Sequence, residues 1–367
     1  MMLDNPNLLK AHALAFSIAN QHQMFVAESS ANWFVENAEQ KVAIWANDSS
    51  INTGCINPEL AGELSKFLDK AATEQVERII LFIDSAGVQL EQGWRSMKHT
   101  AKLIKQLLNL RIHSQITTIA VLGDSVGCFG GAYLVAASCQ YTLGSKNGLC
   151  GVSGRKVIEH LDSEKDDINR LFYKAPYRLI NQELFCILPE PLEERRNLLL
   201  MLEHHPLTGE ELRQEYAALK TSADEDHSAL ATYRSRPKHK TLGFPEAEEI
   251  GCDGLLNFAN QLLDYLENEN SLPMFMGNCE QEFSFINEQR GFSRYLALTM
   301  KLLRYLSEQG KRVRIKVDQR GSGATFIAVS LMADTLIIEE GSCIYPLPLE
   351  AMSLFVHTTL PQGSEWR

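Results

Sequence analysis

The first 160 residues alternate short apolar runs with stretches in which apolar positions recur every three or four residues. The runs Lys41–Ala46, Arg78–Ile83 and Ile116–Leu122 are bounded by turn residues, which is typical of buried strands. Glu59–Ala71 and Trp94–Leu110 each carry one apolar face, which predicts amphipathic helices. Strands that alternate with helices in this way indicate an α/β fold with a mostly parallel sheet.

A similar pattern returns after residue 241, at a constant offset of 193 residues held over roughly 65 positions. Gly130 then corresponds to Gly323, and Gly148 corresponds to Gly341. The order of predicted helices and strands also repeats, at Cys252–Leu266, Leu272–Met276, Arg294–Leu306, Arg312–Val317 and Ala324–Ala333. The shared order predicts an internal duplication.

The segment from about residue 190 to residue 239 follows neither pattern. It contains Pro189, Pro191 and an acidic stretch at Ser222–Ser228, and it predicts helical segments that end in an exposed connection. We therefore expect two tandem related domains, residues 1–215 and 241–367, joined by a linker at 216–240.

Composition narrows the class of protein. A net charge of −11 argues against nonspecific binding of nucleic acid or of anionic membranes. The eight cysteines form no C-x-x-C pair and none lies near a histidine at metal-ligand spacing, so we expect no metal site, reduced thiols and a cytoplasmic protein. No apolar run approaches the ~18 residues of a membrane span, and no secretory signal is visible.

The residues with the clearest chemical potential lie between Gly123 and Gly154. There an apolar strand runs into consecutive glycines and then into a small-residue helix. Such a turn leaves free backbone N–H groups at a helix N-terminus, where an oxyanion or a phosphate can bind. The alternative is that Gly-Gly serves only tight packing between a strand and a helix.

These motifs resemble the carboxyltransferase branch of the crotonase superfamily, and most of all the β and γ subunits of biotin-independent malonate decarboxylase, here in one chain. The resemblance implies a ClpP/crotonase-like ββα superhelix in two tandem related domains. It rests on four segments of the first half and three of the second: Thr53–Gly62, Phe82–Leu90, Val126–Gly131, Leu149–Glu159, Gly321–Gly323, Met332–Asp334 and Pro348–Met352.

The resemblance implies decarboxylation of a malonyl thioester on an acyl carrier protein or CoA, through an enolate held by backbone amides. No bound cofactor is expected, since the phosphopantetheine or CoA arm belongs to the substrate, and at least a homodimer is expected. The predicted catalytic residues are those of the first turn, its opposing wall and a second hole, namely Gly127, Cys128, Gly130, Gly131, Gly87, Ser125, Gly321 and Gly323.

Side chains near these turns leave alternatives open. Cys128 is a polarised thiol or only packs, while Asp124 and Ser125 line the pocket, protonate the enolate carbon or cap a helix. Glu280 is a further candidate acid. The basic cluster Arg236, Lys238, His239 and Lys240 is a candidate docking patch for the phosphates of the substrate arm, or a solvated linker.

Two other functions remain possible at this point. The first is acyl or carboxyl transfer, or other chemistry on a carrier-bound β-carbonyl substrate in a biosynthetic pathway, with Asp124 and Ser125 carrying chemistry. The second is a scaffold that binds a carrier without turning it over.

Overall fold

The structure is a computed structural model that describes residues 5–19, 22–161, 171–230, 249–268, 274–352 and 355. For residues 225–230, 274–276 and 349–350 it describes the backbone alone. Among the described helices, none is both long and apolar enough to span a membrane.

The first half is a mixed α/β unit around a seven-stranded sheet. Its elements, in chain order, are α1 (Pro6–Ile18), β1 (His22–Val26), β2 (Ser30–Glu36), β3 (Lys41–Asn47), α2 (Pro58–Thr73), β4 (Arg78–Ile83), α3 (Trp94–His113), β5 (Thr117–Leu122), β6 (Cys128–Phe129), α4 (Gly130–Ala137), β7 (Tyr141–Gly144), β8 (Cys150–Gly151), α5 (Arg155–Leu161), α6 (Ala175–Ile180), β9 (Cys186–Ile187), α7 (Leu192–Met201) and α8 (Gly209–Leu230).

The strand order of this sheet is β1-β2-β3-β4-β5-β7-β9. The strands from β3 to β9 are parallel, as predicted, whereas β1 and β2 add to the edge in antiparallel fashion. Helices α2, α3 and α4 cover one face, and α1 and α7 cover the other. The sequence analysis identified neither α1 nor the antiparallel edge, although Trp33 of β2 is fully buried.

Two helices of the first half begin at the same local signal, an asparagine followed by proline. The Asn5 side chain accepts a hydrogen bond from the Asn7 N–H, and the Asn57 side chain accepts one from the Leu60 N–H. An asparagine cap satisfies an otherwise unpaired amide, and proline at the first helical position lacks the N–H that would need a partner.

The second half carries a smaller four-stranded sheet. Its elements are α9 (Cys252–Glu267), β10 (Met274–Cys279), α10 (Phe285–Gln289), α11 (Phe292–Glu308), β11 (Arg314–Ser322), α12 (Gly323–Ala328), β12 (Thr335–Ile338), β13 (Cys343–Tyr345) and α13 (Leu349–Met352). Parallel strands β10, β11 and β12 lie side by side, and β13 pairs in parallel with the end of β11.

The order of elements repeats between the halves. Helices α2, α3 and α4 have counterparts in α9, α11 and α12, and strands β4, β5 and β7 have counterparts in β10, β11 and β12. The turn glycines keep their conformation, since φ is +53° at Gly130 and +67° at Gly323. The element order is therefore that of a duplicated unit, whereas α12 ends at Ala328, earlier than the predicted Ala333.

Residues around the predicted boundary at 215 belong to α8. This helix continues to Leu230 and packs against α9 and α11, with Leu212 and Leu219 fully buried. Residues 216–224 thus belong to a packed helix whose backbone continues to residue 230, and residues 231–240 lie outside the described residues. One hydrophobic cluster includes core residues of both halves, so the halves share a core. The division into two domains stays a prediction.

Candidate functional site

A cavity of about 700 Å³ lies between the two halves. From the first half it is lined by residues 52–55, 86–91, 126–131 and 152–157, although not by every residue of each segment. From the second half it is lined by Gln281, Phe283, Gly323, Ala324, Ile327, Pro346, Leu347 and Phe355. The structure therefore brings the two glycine turns to one cavity.

The first glycine turn is held by a buried carboxylate. One oxygen of Asp84 accepts hydrogen bonds from the N–H groups of Val126 and Gly127, both at 2.9 Å. Gly127 has φ +101°, and a Cβ on it would stand 2.6 Å from the carbonyl oxygen of Leu149. Glycine is therefore required for the shape of the turn, while its own N–H is already used by Asp84.

The Cys128 side chain likewise has a structural role. Its side chain is fully buried, and burial raises the pKa of its thiol well above the ordinary value. Its N–H donates to the carbonyl oxygen of Leu149 at 2.8 Å, and the next N–H, of Phe129, donates to Ser85 at 3.0 Å. The structure supports the packing interpretation of Cys128 over that of a polarised thiol.

One amide of the first turn remains open. Helix α4 begins at Gly130, whose N–H is used in the parallel pairing of Phe129 with Gly151, whereas the N–H of Gly131 donates to no described residue. The facing wall of the cavity lies close to Gly131, since a Cβ on this glycine would lie 2.6 Å from a methyl group of Val88. Within the predicted hole at Gly127–Gly131, the open donor is therefore the N–H of Gly131, in the first turn of the helix.

The opposing donor is Val88, which the sequence analysis missed. Gly87 has φ +127°, and its N–H donates to the Ser85 hydroxyl at 3.1 Å. On this wall the Ile56 N–H donates to the Gly87 carbonyl at 2.8 Å, and the Ile56 carbonyl accepts from the Gln89 N–H at 2.9 Å. The alternation of a parallel ladder directs the Val88 N–H away from Ile56, and it donates to no described residue.

The second turn lines the same cavity but is occupied. A Cβ on Gly321 would stand 2.4 Å from the ring of Phe326, so this glycine serves packing. Gly323 lies on the cavity wall, and the following amide, of Ala324, donates to the side-chain oxygen of Gln281 at 2.7 Å. A free amide at Ala324, which a second hole would use, is therefore not present.

Other predicted side chains lie elsewhere. Asp124 and Ser125 are exposed and do not line the cavity; Asp124 forms an ion pair with Lys10 at 2.6 Å. Helix α4 is preceded by Phe129, so neither residue caps it. Glu280 is not among the lining residues. Arg236, Lys238, His239 and Lys240 lie outside the described residues, and their docking role stays a prediction.

Cationic side chains do reach the cavity, from a segment the sequence analysis quoted but did not assign. Arg155 and Lys156 lie at the start of α5 and belong to the cavity lining. Arg155 pairs with Glu159, with 2.5 Å between the charged atoms, while Lys156 is exposed. A basic pair beside a largely apolar cavity suits a ligand that has an apolar part and an anionic part.

A strained turn forms one side of the cavity. Asn52, Thr53 and Gly54 all have positive φ, at +48°, +51° and +66°. This is costly for a β-branched residue such as Thr53, whose carbonyl oxygen accepts from the Ala86 N–H at 3.1 Å. The turn places Cys55 in the cavity wall, with its sulfur 3.4 Å from the Thr53 hydroxyl.

The position of Cys55 gives a measurable expectation. Burial raises the pKa of this thiol, so N-ethylmaleimide should label it slowly near neutral pH and faster as the pH is raised, because the thiolate reacts. Peptide mapping separates it from Cys186 and Cys343, which are also partly exposed. Acetyl-CoA should protect Cys55 alone. Labelling at neutral pH as fast as that of a free thiol would contradict the placement.

Sequence comparison gives a family match for part of the chain. Residues 39–172 match the carboxyl transferase domain. The carboxyl transferase match includes the strained turn, Val88, the open amide of Gly131 and the basic pair at the start of α5. The second turn lies outside it.

A curated relative matches over a short stretch. The malonyl-S-ACP:biotin-protein carboxyltransferase MADC of Malonomonas rubra is 30% identical over 100 residues, which are 27% of this chain and 30% of the relative. The match thus spans less than a third of that relative's length.

Solved structures with distant similarity include a Pseudomonas malonate decarboxylase hetero-tetramer in complex with malonate. It is 21% identical, with a TM-score of 0.47 over 52% of this chain and 79% of that chain. A transcarboxylase 12S structure with methylmalonyl-coenzyme A and methylmalonic acid bound is 13% identical, with a TM-score of 0.46 over 96% of this chain and 80% of that chain.

Proposed function

We propose that this chain decarboxylates a malonyl-type thioester carried on an acyl carrier protein or CoA. The observation that carries the proposal is the pair of N–H groups of Val88 and Gly131. Both residues line the cavity, and neither N–H group donates to a described residue. Unpaired amides at a helix N-terminus and on a facing wall suit a developing oxyanion.

The chemistry requires such donors. When the bond between the α-carbon and the carboxylate breaks, CO2 leaves and the electron pair moves into an enolate whose negative charge lies on the thioester oxygen. Protonation of the α-carbon then gives the acetyl thioester. A preorganised backbone donor is typically worth about 3–4 kcal/mol of barrier, so two donors contribute a large part of the required stabilisation.

The rest of the cavity fits the same substrate. Its lining includes Val126, Val152 and Ile327, which exclude water from the reacting group, and Arg155 and Lys156 carry positive charge suited to the phosphates of a phosphopantetheine or CoA arm. The Malonomonas rubra relative is a malonyl-S-ACP carboxyltransferase by name, which supports this substrate class.

Carboxyl transfer is the second candidate. The carboxyl transferase match and the name of the same relative favour it, since both describe passage of the carboxyl group to an acceptor. The two reactions share the first step and the first hole. They differ in what receives the carboxyl group.

Mass spectrometry of the carrier tests the proposal. Malonyl-acyl carrier protein and, separately, malonyl-CoA are incubated with the protein in the absence of any acceptor. We expect the malonyl form to lose about 44 Da, the mass of one CO2. An unchanged mass under conditions where the carrier binds would overturn decarboxylation, and loss only when an acceptor is added would establish transfer.

The finer expectations from the resemblance stay proposals. These are the fusion of β-like and γ-like halves in one chain, assembly into at least a dimer, and a cytoplasmic location.

A further inference from the structure

The two halves carry the same kind of turn, but two of its backbone N–H groups are open in the first half and paired within the chain in the second. At the offset of 193 residues, Val88 corresponds to Gln281 and Gly131 corresponds to Ala324. The backbone pairing is the same on both walls. Ile250 donates to the Glu280 carbonyl at 2.7 Å and accepts from the Glu282 N–H at 3.0 Å, as Ile56 does with the residues on either side of Val88.

The donors that the first turn leaves open are used within the chain at the second. The Ala324 N–H donates to the side-chain oxygen of Gln281 at 2.7 Å, where the first half has the apolar Val88. The Gln281 N–H donates to the hydroxyl of Ser322 at 3.4 Å. In the first half the position of Ser322 is taken by Phe129. Two polar residues at the equivalent positions therefore supply acceptors that the first turn lacks.

The Gln281 side chain is fixed at both ends of its carboxamide. The residue is 1% exposed, and its side-chain nitrogen donates to the Ser153 hydroxyl at 2.7 Å, across the cavity wall of the first half. Its oxygen also lies against Gly323, 2.4 Å from where a Cβ on that glycine would stand. The Gln281 side chain thus fills the space beside Gly323 as well.

We propose that Gln281 is a specificity-determining residue that closes the second turn from within, so that the cavity binds a single oxyanion, at Val88 and Gly131. The inference rests on the proposed function for the identity of that oxyanion. It means that no second carbonyl or carboxylate oxygen is received at Ala324. A reaction that ends with loss of CO2 needs only the first turn.

Amide NMR of the deuterated, 15N-labelled full chain tests the closure without an activity assay. We expect acetyl-CoA to shift the Val88 and Gly131 signals, and neither acetyl-CoA nor bicarbonate to shift that of Ala324. In Gln281→Val, which installs the residue of the first half, exchange of the Ala324 amide with D2O should accelerate by at least about tenfold. Gln281→Glu keeps an acceptor and should keep exchange slow.

The results of these experiments distinguish the closure of the second turn from the proposed function. Gln89→Val also replaces a glutamine of the cavity wall, yet should leave Ala324 exchange unchanged. A wild-type Ala324 signal that shifts with either ligand overturns the closure, as does an unchanged exchange rate in Gln281→Val. If acetyl-CoA shifts neither Val88 nor Gly131 while Ala324 stays protected, the proposed function fails and the closure stands.

Discussion

Replacing Gly130 with valine should reduce turnover of the malonyl thioester by at least about 100-fold. Gly130 has φ +53°, and a Cβ on it would point into the cavity, with the nearest wall atoms 3.7 and 3.8 Å away. A branched side chain there occupies the space of the thioester oxygen and displaces the amides that would bind it. Removal of one oxyanion donor alone typically costs about 10²–10³ in rate.

The matched control for this substitution is Gly310→Val. Gly310 also has positive φ, at +74°, and nothing lies within 4 Å of a Cβ at that position. Both variants therefore carry a backbone cost of about 1–2 kcal/mol for an L-residue in the left-handed region. Thermal unfolding should shift similarly in both, while only Gly130→Val loses activity in the carrier mass assay. Equal activity in the two variants would remove the first turn from the mechanism.

Arg178→Met should be the most destabilising single change, at about 3–5 kcal/mol of unfolding free energy. The guanidinium is completely buried and binds Glu183 and Glu288, each at 2.7 Å. Burial alone would lower the pKa of Arg178, but the two carboxylates more than offset it and raise the pKa well above its usual range. Removing the cation leaves two buried carboxylates without a positively charged partner.

The effect should extend to the cavity, because Glu288 accepts hydrogen bonds from the N–H groups of Val152 and Ser153 in its wall. Chemical denaturation measures the loss. Arg213→Met, which removes an exposed ion pair with Glu267, should change stability by less than about 1 kcal/mol. Arg178→Met combined with Glu183→Gln and Glu288→Gln should recover part of the loss. A single-variant loss no larger than that of Arg213→Met would show that the buried ion pairs are not needed.

Much of the architecture could be predicted from periodicity and spacing. The parallel strands and their helices follow from short apolar runs and amphipathic faces, and the repeat follows from the offset that relates Gly130 to Gly323. The antiparallel strands β1 and β2 were missed, because the order of apolar and polar residues along them follows neither the strand period nor the helix period. Helix α8 was taken as partly linker, since its acidic composition hides the apolar positions Leu212 and Leu219.

The location of the site could be predicted from the sequence, but the individual N–H groups that form it could not. Glycine spacing indicates the first turn, yet the assignment of individual amides depends on which ones the chain already uses. Asp84 and the Leu149 carbonyl occupy the N–H groups of Gly127 and Cys128, and both contacts are long-range. Val88 carries no chemical signal in its side chain. Its value lies in a main-chain group that only the ladder on Ile56 orients.

The shared core has a consequence for substitutions in either half. Because one apolar cluster includes residues of both halves, a change in the packing surface of one half requires a matching change in the other. The turns are under a weaker constraint, since a turn satisfied by Gln281 and Ser322 no longer needs a ligand to complete it. The chain can in this way keep its packing fixed while its two turns differ in what satisfies their N–H groups.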